Sequence, residues 1–510
     1  MKQYYLGIEF GSTRVKAVLI DGEHRIVKSG DYTWKSSLEN GVWTYHMEDV
    51  QTGLRTAIRN LGELPGAVSA MGISGMMHGY LAFDKDWNLL APFRTWQNTM
   101  TGEAAEQLTA EFGFNIPQRW SIAHLYQAIL NGEAHVKNIA HITTLAGYVH
   151  YLLTGENVLG VGEASGMFPI DSEVLDYDAA MLEKFDALIA KYGFAWTARS
   201  VLPKVLTAGQ AAGALTQAGS TFLDGLLPAG IPFCPPEGDA GTGMTATNAV
   251  APRTGNVSAG TSIFAMVVLE KPLSKVYQEI DMVTTPSGKP VAMVHCNNCT
   301  NDMNAWVSLL GETAKLFGAE VSTGELFTKL YQKSLEGDAD CSGVLTYNYM
   351  AGEGITHLDE GRPMVVRKPE SSFTLANFLR SQLYATMSTL KLGMDILAEE
   401  HVAIDSLTGH GGLFKTPVVG QKYMAAACRA PVTCMESAGE GGPYGMALLA
   451  SYLVQKQDGQ TLEQYLETEI FADVKRTTLA PDPEDEAGFD RYLSWYRSAL
   501  AAENAAVKAF

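Results

Sequence analysis

Short apolar runs broken by glycine and hydroxyl residues open the chain: YYLGIEF at 4–10, a Gly-Ser-Thr break, and VKAVLID at 15–21. Runs of this length bounded by turn residues predict strands. With RIVKSGDYTW after the Asp21-Gly22 turn, residues 4–33 predict a three-strand meander. A helical period follows in MEDVQTGLRTAIRNLGEL, then AVSAMGISG predicts a buried strand ending at a glycine-rich loop. Residues 103–155 are mostly helical in pattern, including EAAEQLTAEFG and AHLYQAILNGEAHV. IPFCPPEGD (231–239) predicts a short strand broken by Pro235-Pro236, and AGTGMTATNAV the start of a helix. Further on, MNAWVSLLGETAKLFG, SSFTLANFLRSQLYATMSTLKLGMDILAEEH, PVVGQKYMAAACRA and the tail from Asp490 predict helices, with IDSLTGHGG a strand running into a loop.

The opening arrangement recurs about half the chain later as GNVSAGTSIFAMVVLE (255–270). In both places a strand-like run meets a Gly-hydroxyl tip and returns as a second apolar run. Glycine lets a backbone approach an anion, successive N–H groups form a nest, and the hydroxyls add donors. Two such tips suggest a duplicated domain gripping one polyphosphate from both sides. Either turn alone reads first as an ordinary hairpin with a turn-stabilising hydroxyl, and it is the accompanying motifs that favour phosphate. The second hairpin starts directly after residue 250, which marks the expected boundary between lobes 1–250 and 251–510. No Pro/Ser-rich linker lies there, so the halves are expected to share an interface. Each half fits an α/β lobe, a mixed sheet flanked by helices.

Composition narrows the classes. At 510 residues and 46% hydrophobic content the chain has sizeable cores, and a net charge of −19 argues against a general nucleic-acid or anionic-membrane surface. An anionic ligand then needs a local pocket. No apolar run approaches the roughly 20 residues of a membrane span, and the N-terminus enters a strand interrupted by Glu9, so the expected address is cytoplasmic. Six cysteines are too sparse for a disulfide framework. Cys296-Asn-Asn-Cys299 lacks a second ligand pair at metal spacing, so buried or incidental thiols are expected there.

Four further stretches carry a resemblance: ISGMMHG (73–79), RTWQNT (94–99), PPEGDAGTGMTATNAV (235–250) and the run from SLTGHGG to ALLASYL (406–453). Together with the two hairpins, in order and approximate spacing, they resemble the FGGY carbohydrate kinases over nearly the whole chain. The resemblance implies two ribonuclease-H-like (actin-like ATPase) α/β lobes with a cleft between them for substrate. It implies the sugar and first phosphate motif in the N-terminal lobe and ATP binding in the C-terminal one.

The same resemblance implies roles. Asp239, in GDAGTG, corresponds to the base that takes the proton of the sugar hydroxyl. An Asp at a helix start is also a good N-cap, worth roughly 1 kcal/mol, and the two roles can coexist. Ser12, Thr13 and Lys16 in the first turn and Gly260, Thr261 and Ser262 in the second are assigned to the ATP phosphates. Gly411, Gly412 and Phe414 are assigned to the adenosine side, with Gly439–Gly445 closing that pocket. His410 stands where many relatives have glycine. Glu9 replaces the family's usual Asp near magnesium. It reaches Mg2+ through a shifted position or a water, or merely pairs with Lys16.

On the sugar side, Met76-Met77-His78-Gly79 resembles the Gln-Met-His-Gly of xylulokinases with Met76 for Gln, while Gly412-Leu413-Phe414-Lys415 before Pro417 looks more like ribulokinases. Met77, His78, Trp96, Gln97 and Asn98 are the candidate sugar contacts, the indole face against C–H groups and the amides on hydroxyls. Trp96 as a core residue is the alternative. The implied activity is ATP- and Mg2+-dependent phosphorylation of a keto-sugar at its terminal hydroxyl, most simply a pentulose such as xylulose or ribulose. Other acceptors in the family are glycerol, erythritol, rhamnulose and fuculose. A nucleotide-switched binding protein of the actin branch is the rival from another class. The expected partner is a small sugar, with neither nucleic acid nor membrane; a homodimer stays open.

Overall fold

The computed structural model describes residues 2–435 and 441–509. It divides into two compact units: Met1–Pro252 with Glu270–Val291 and Glu440–Asp473, and Arg253–Leu269 with Ala292–Gly439 and Val474–Phe510. The chain first changes unit next to the boundary expected at residue 250. Two later segments, 270–291 and 440–473, return to the first unit, a traffic that a single boundary does not describe.

The first unit is built on a five-stranded mixed sheet in the order Glu237–Gly238, Val68–Gly75, Tyr4–Phe10, Arg14–Asp21, Ile26–Thr33. The central strand Tyr4–Phe10 is buried at every position but Glu9, because both faces of the sheet are covered. It runs antiparallel to Arg14–Asp21 and parallel to Val68–Gly75. The edge strand Ile26–Thr33 is largely exposed and carries Lys28, Ser29 and Asp31, which discourage further pairing. On one face, the helix Met47–Arg59 buries Val50, Leu54, Ala57 and Ile58, the stripe that its period predicts. The core joins Leu6, Ile8, Phe10, Val15, Leu19, Leu54, Met71 and Ile73.

The helix Gly441–Gln455 packs directly on this sheet. It can do so because Gly7 has no side chain: a Cβ there would overlap the carbonyl oxygen of Pro443. At Gly445 the helix likewise meets the backbone of Thr242 in the helix Asp239–Ala246.

The second unit repeats the scheme. Its strand Thr254–Ala259 runs antiparallel to Ile263–Val268 and parallel to Ser406–Gly411, and Val432–Met435 and Arg476–Leu479 continue the sheet. The 25-residue helix Leu375–Glu399 is buried over most of its length, and the tail forms the helix Pro483–Ala509. The duplication expected from the two hairpins is therefore present at the level of strand pairing. No helix among the described residues is long and apolar enough to cross a membrane.

Candidate active site

Strand register assembles the first unit's site. Glu9 lies beside Ser74, Phe10 beside Gly75, and Glu237 and Gly238 beside Ser74 and Gly75, all in parallel pairing. The loops leaving these strands, Gly11–Thr13, Met76–Gly79 and Asp239 onward, thus emerge at one edge. The carboxyl ends of parallel strands are where open α/β sheets bind ligands.

Asp239 is the first residue of the helix Asp239–Ala246, and the cap position belongs to Gly238, extended at φ −79° and ψ 156°. No side chain caps this helix end. The Asp239 carboxylate instead accepts the N–H of Met77 from the neighbouring loop (3.2 Å). Asp239 is thus not the N-cap of this helix, although its carboxylate also meets the N–H groups of the first turn. The residue is open to solvent on one side. Enclosure by protein on the other pushes its carboxyl up to about 6, while the N–H groups of Met77 and Ala240 hold it down.

The neighbouring loop is strained and committed. His78 adopts φ +70°, a left-handed conformation unusual for a non-glycine residue, and Gly79 follows at +88°. Nδ1 of His78 lies 3.0 Å from the carbonyl oxygen of Gly166, and its ring stacks near Trp120. Since a carbonyl only accepts, Nδ1 carries the proton, and in the neutral ring Nε2 accepts. His78 is then suited to receive a hydroxyl proton rather than to donate one. Met77 is buried, and its backbone N–H is what meets Asp239.

Trp96 is 38% exposed, so it is not a core residue. Gln97 has a buried Oε1 without a partner among the described residues. Asn98 corrects the sequence expectation: it is buried, its Oδ1 accepts the N–H of Trp43 (2.8 Å), and its Nδ2 donates to the carbonyls of Trp43 (2.8 Å) and Thr95 (3.0 Å). An amide spent in this way ties the Trp96–Gln97 loop to Trp43 rather than facing a ligand.

In the first turn every carbonyl is anchored. Gly11 O accepts from Trp34 Nε1 (2.7 Å), Ser12 O from the Tyr45 hydroxyl (2.7 Å) and Thr13 O from the Trp34 N–H (3.1 Å). With the acceptors turned inward, the exposed side chains of Ser12 and Thr13 stand on the outer side of the turn. Lys16 pairs across the hairpin with Glu9. Burial, and then the negative charge of Asp239, push the Glu9 carboxyl up to about 8 against the pull of Lys16. Gly442 comes so close that a Cβ there would overlap Glu9 Oε2. Of the stretch 439–445, residues 439 and 440 lie outside the described residues; Gly442 and Gly445 pack on Glu9 and Thr242 in the first unit.

The second unit carries the matching turn. Gly260 O accepts the N–H (3.1 Å) and hydroxyl (2.7 Å) of Thr300, and Thr261 O accepts the Cys299 N–H (3.0 Å), leaving Thr261 exposed beside half-buried Ser262. Ala259 pairs with Gly411, which sets the loop Gly411-Gly412 beside this turn. Gly411 sits at φ +98°, and a Cβ there would overlap the Ala259 carbonyl, so glycine is required. The Phe414 ring packs on Gly409, and His410 is partly enclosed on the strand, burial lowering its affinity for a proton.

Two buried acids beside Asp239 escaped the sequence reading. The Glu163 N–H donates to Glu237 Oε2 (2.9 Å); burial pushes the Glu237 carboxyl to about 8 and Glu163 well above its ordinary range, the charge of Asp239 adding to the latter. The available signal was an acid set among glycines, in VLGVGEASG and PPEGD. Cys296 and Cys299 are free and buried, and burial pushes both thiols up. Among the described residues no group of three or more His, Cys, Asp or Glu side chains is arranged to hold a metal.

Comparison with known proteins finds two family matches: residues 4–245 match the N-terminal domain, and residues 255–454 the C-terminal domain, of the FGGY family of carbohydrate kinases. A xylulose kinase of Haemophilus influenzae is 22% identical over 513 residues, 96% of this chain and 99% of that protein. A glycerol kinase of Thermococcus kodakarensis is 27% identical over 291 residues, 53% of this chain and 54% of that protein. Among solved structures, a ligand-bound xylulose kinase from Lactobacillus acidophilus superposes with a TM-score of 0.80 at 16% identity, covering 98% of this chain and 99% of that one.

Proposed function

The chain belongs to the FGGY family of carbohydrate kinases, and from that premise we propose that it transfers the γ-phosphoryl group of ATP to the terminal hydroxyl of a pentulose such as xylulose or ribulose. The observation that carries the proposal is the setting of Asp239. Its carboxylate is solvent-facing, held by the Met77 N–H of a neighbouring loop as well as by the first N–H groups of its own helix, and beside the strained Met77-His78 loop. A carboxyl at about 6 is mostly ionised at neutral pH and still basic enough to accept the hydroxyl proton as the oxygen attacks phosphorus. The Met77 N–H orients it, His78 Nε2 accepts a second hydroxyl, and Trp96 offers an exposed ring face for the sugar's C–H side. Thr13 and Thr261 hold phosphate oxygens, with their turns braced by inward carbonyls. Preorganised donors of this kind supply most of what phosphoryl transfer needs.

Magnesium fits Glu9. Hard oxygen donors suit it, it keeps several waters, and one or two carboxylates with substrate phosphates are its usual ligands. Burial first, and the charge of Asp239 second, raise the Glu9 carboxyl, and a cation beside it would favour the ionised form. When bound, Mg2+ neutralises phosphate charge. The test is a coupled ADP assay over ketoses and polyols. Fastest turnover with one or two pentuloses is expected; glycerol as the best acceptor refutes the pentulose assignment.

A further inference from the structure

The Cys296-Asn-Asn-Cys299 segment has no role in the reading above, and its cysteines are buried thiols. Its two asparagines are another matter. Asn297 and Asn298 form the turn between the strand Pro290–Cys296 and the helix Asn301–Leu316. One oxygen, Oε2 of the buried Glu353, accepts three donors from this turn: the N–H of Asn297 (3.0 Å), the N–H of Asn298 (3.3 Å) and Nδ2 of Asn298 (3.1 Å). Asn298 completes the joint, its Oδ1 accepting the N–H groups of Met350 (2.8 Å) and Ala351 (3.0 Å). Asn297 Nδ2 donates to the carbonyl of Gly352 (2.8 Å). The next two residues are Cys299 and Thr300, whose N–H groups hold the carbonyls of Thr261 and Gly260.

We propose that Glu353 is a positioning residue for the nucleotide: through the Asn297-Asn298 turn it fixes Cys299 and Thr300, and through them the Gly260–Thr261 tip. The inference rests on the proposed reading of that tip as a phosphate grip. A carboxylate oxygen accepting three N–H donors in a buried site is a rigid joint, since each charge-assisted bond is stronger than a neutral one. Burial pushes the Glu353 carboxyl up to about 7, and these bonds pull it back toward the ionised form. The joint reaches the Gly260–Thr261 tip through the N–H groups of Cys299 and Thr300 and the Thr300 hydroxyl. Its effect is therefore confined to the position of two backbone carbonyls and the exposed Thr261 hydroxyl.

The experiment compares Glu353→Asp, Glu353→Gln and Thr261→Val by isothermal titration with MgADP and by steady-state kinetics with ATP and the preferred sugar varied separately. Glu353→Asp retracts the acceptor by one methylene while keeping its charge. It is expected to raise the Kd for MgADP and the KM for ATP by about tenfold, the scale of one lost charge-assisted bond. The KM for the sugar should change by less than about twofold. Glu353→Gln keeps an acceptor oxygen at the joint but loses the charge, and is expected to fall between the wild type and Glu353→Asp. A role confined to general stability would lower the melting temperature and affect both substrates together, and that outcome overturns the proposal. If Thr261→Val weakens MgADP binding and Glu353→Asp does not, the positioning role alone is refuted. If Thr261→Val leaves MgADP binding unchanged, the phosphate grip is refuted and the positioning role falls with it.

Discussion

Two glycines three positions apart on the helix Gly441–Gln455 are expected to respond in opposite ways to alanine. At Gly442 a new Cβ would overlap Oε2 of Glu9 and lie 2.9 Å from Oγ1 of Thr242. Both are side-chain atoms, so the structure yields by moving Glu9, whose carboxylate must withdraw by roughly 1.5–2 Å to regain ordinary contact. Alanine is the better helix residue by about 1 kcal/mol, so the melting temperature should hold. A misplacement of about 1 Å at a reacting centre costs on the order of 10²-fold in rate. Gly442→Ala is therefore expected to lower kcat by about that factor and to raise the Mg2+ concentration needed for half-maximal activity. At Gly445 the obstruction is the backbone oxygen of Thr242, with its carbonyl carbon at 2.8 Å. A backbone cannot rotate away, and Gly445→Ala should cost about 1–3 kcal/mol of stability, the scale of overpacking. Thermal melts and steady-state kinetics on both variants separate the cases. The double variant Glu9→Asp/Gly442→Ala shortens the displaced side chain by one methylene and should recover part of the lost rate. If Gly442→Ala keeps its kcat, Glu9 has no part in turnover; if it melts as early as Gly445→Ala, the packing argument fails.

Asp239→Asn should fold normally, bind ATP and lose turnover by roughly 10²-fold or more, the scale for removing a general base; near-normal kcat would leave the base unassigned. In the wild type the base works ionised, so kcat/KM should fall as pH drops below about 6 and level off above it, and this acid limb should vanish in Asp239→Asn. Thr13→Val should raise the KM for ATP with little change for the sugar; selective damage to sugar binding would refute its phosphate role. His78→Ala removes an acceptor fixed by the Gly166 carbonyl. Its discrimination between pentulose epimers should shrink by about tenfold, the scale of one unpaired buried partner, and unchanged epimer ratios would exclude His78 from the sugar site.

Local pattern alone determined many of the elements, though not helices such as Ala179–Ile189 and Thr323–Ser334. The meander appears as Tyr4–Phe10, Arg14–Asp21 and Ile26–Thr33, and helices fall where the 3.6-residue period placed them, as at Met47–Arg59 and Leu375–Glu399. These depend on contacts a few residues apart, where side-chain spacing and turn chemistry suffice. The two Gly-hydroxyl turns and the family membership were legible for the same reason, since both are written in short contiguous stretches. Tertiary structure decided what depends on separation in sequence. Residues 440–473 lie in the first unit because Gly7, Gly442 and Gly445 let one helix meet a strand more than 400 residues earlier. Asn98, which reads as a ligand amide, is consumed by Trp43, and Asp239, which reads equally as a cap, is held by Met77. Glu163, Glu237 and Glu353 gave almost no signal, because a lone glutamate in sequence is most simply a solvated one. Only the packed chain shows which glutamates are buried, and which of them form a structural joint or lie beside Asp239.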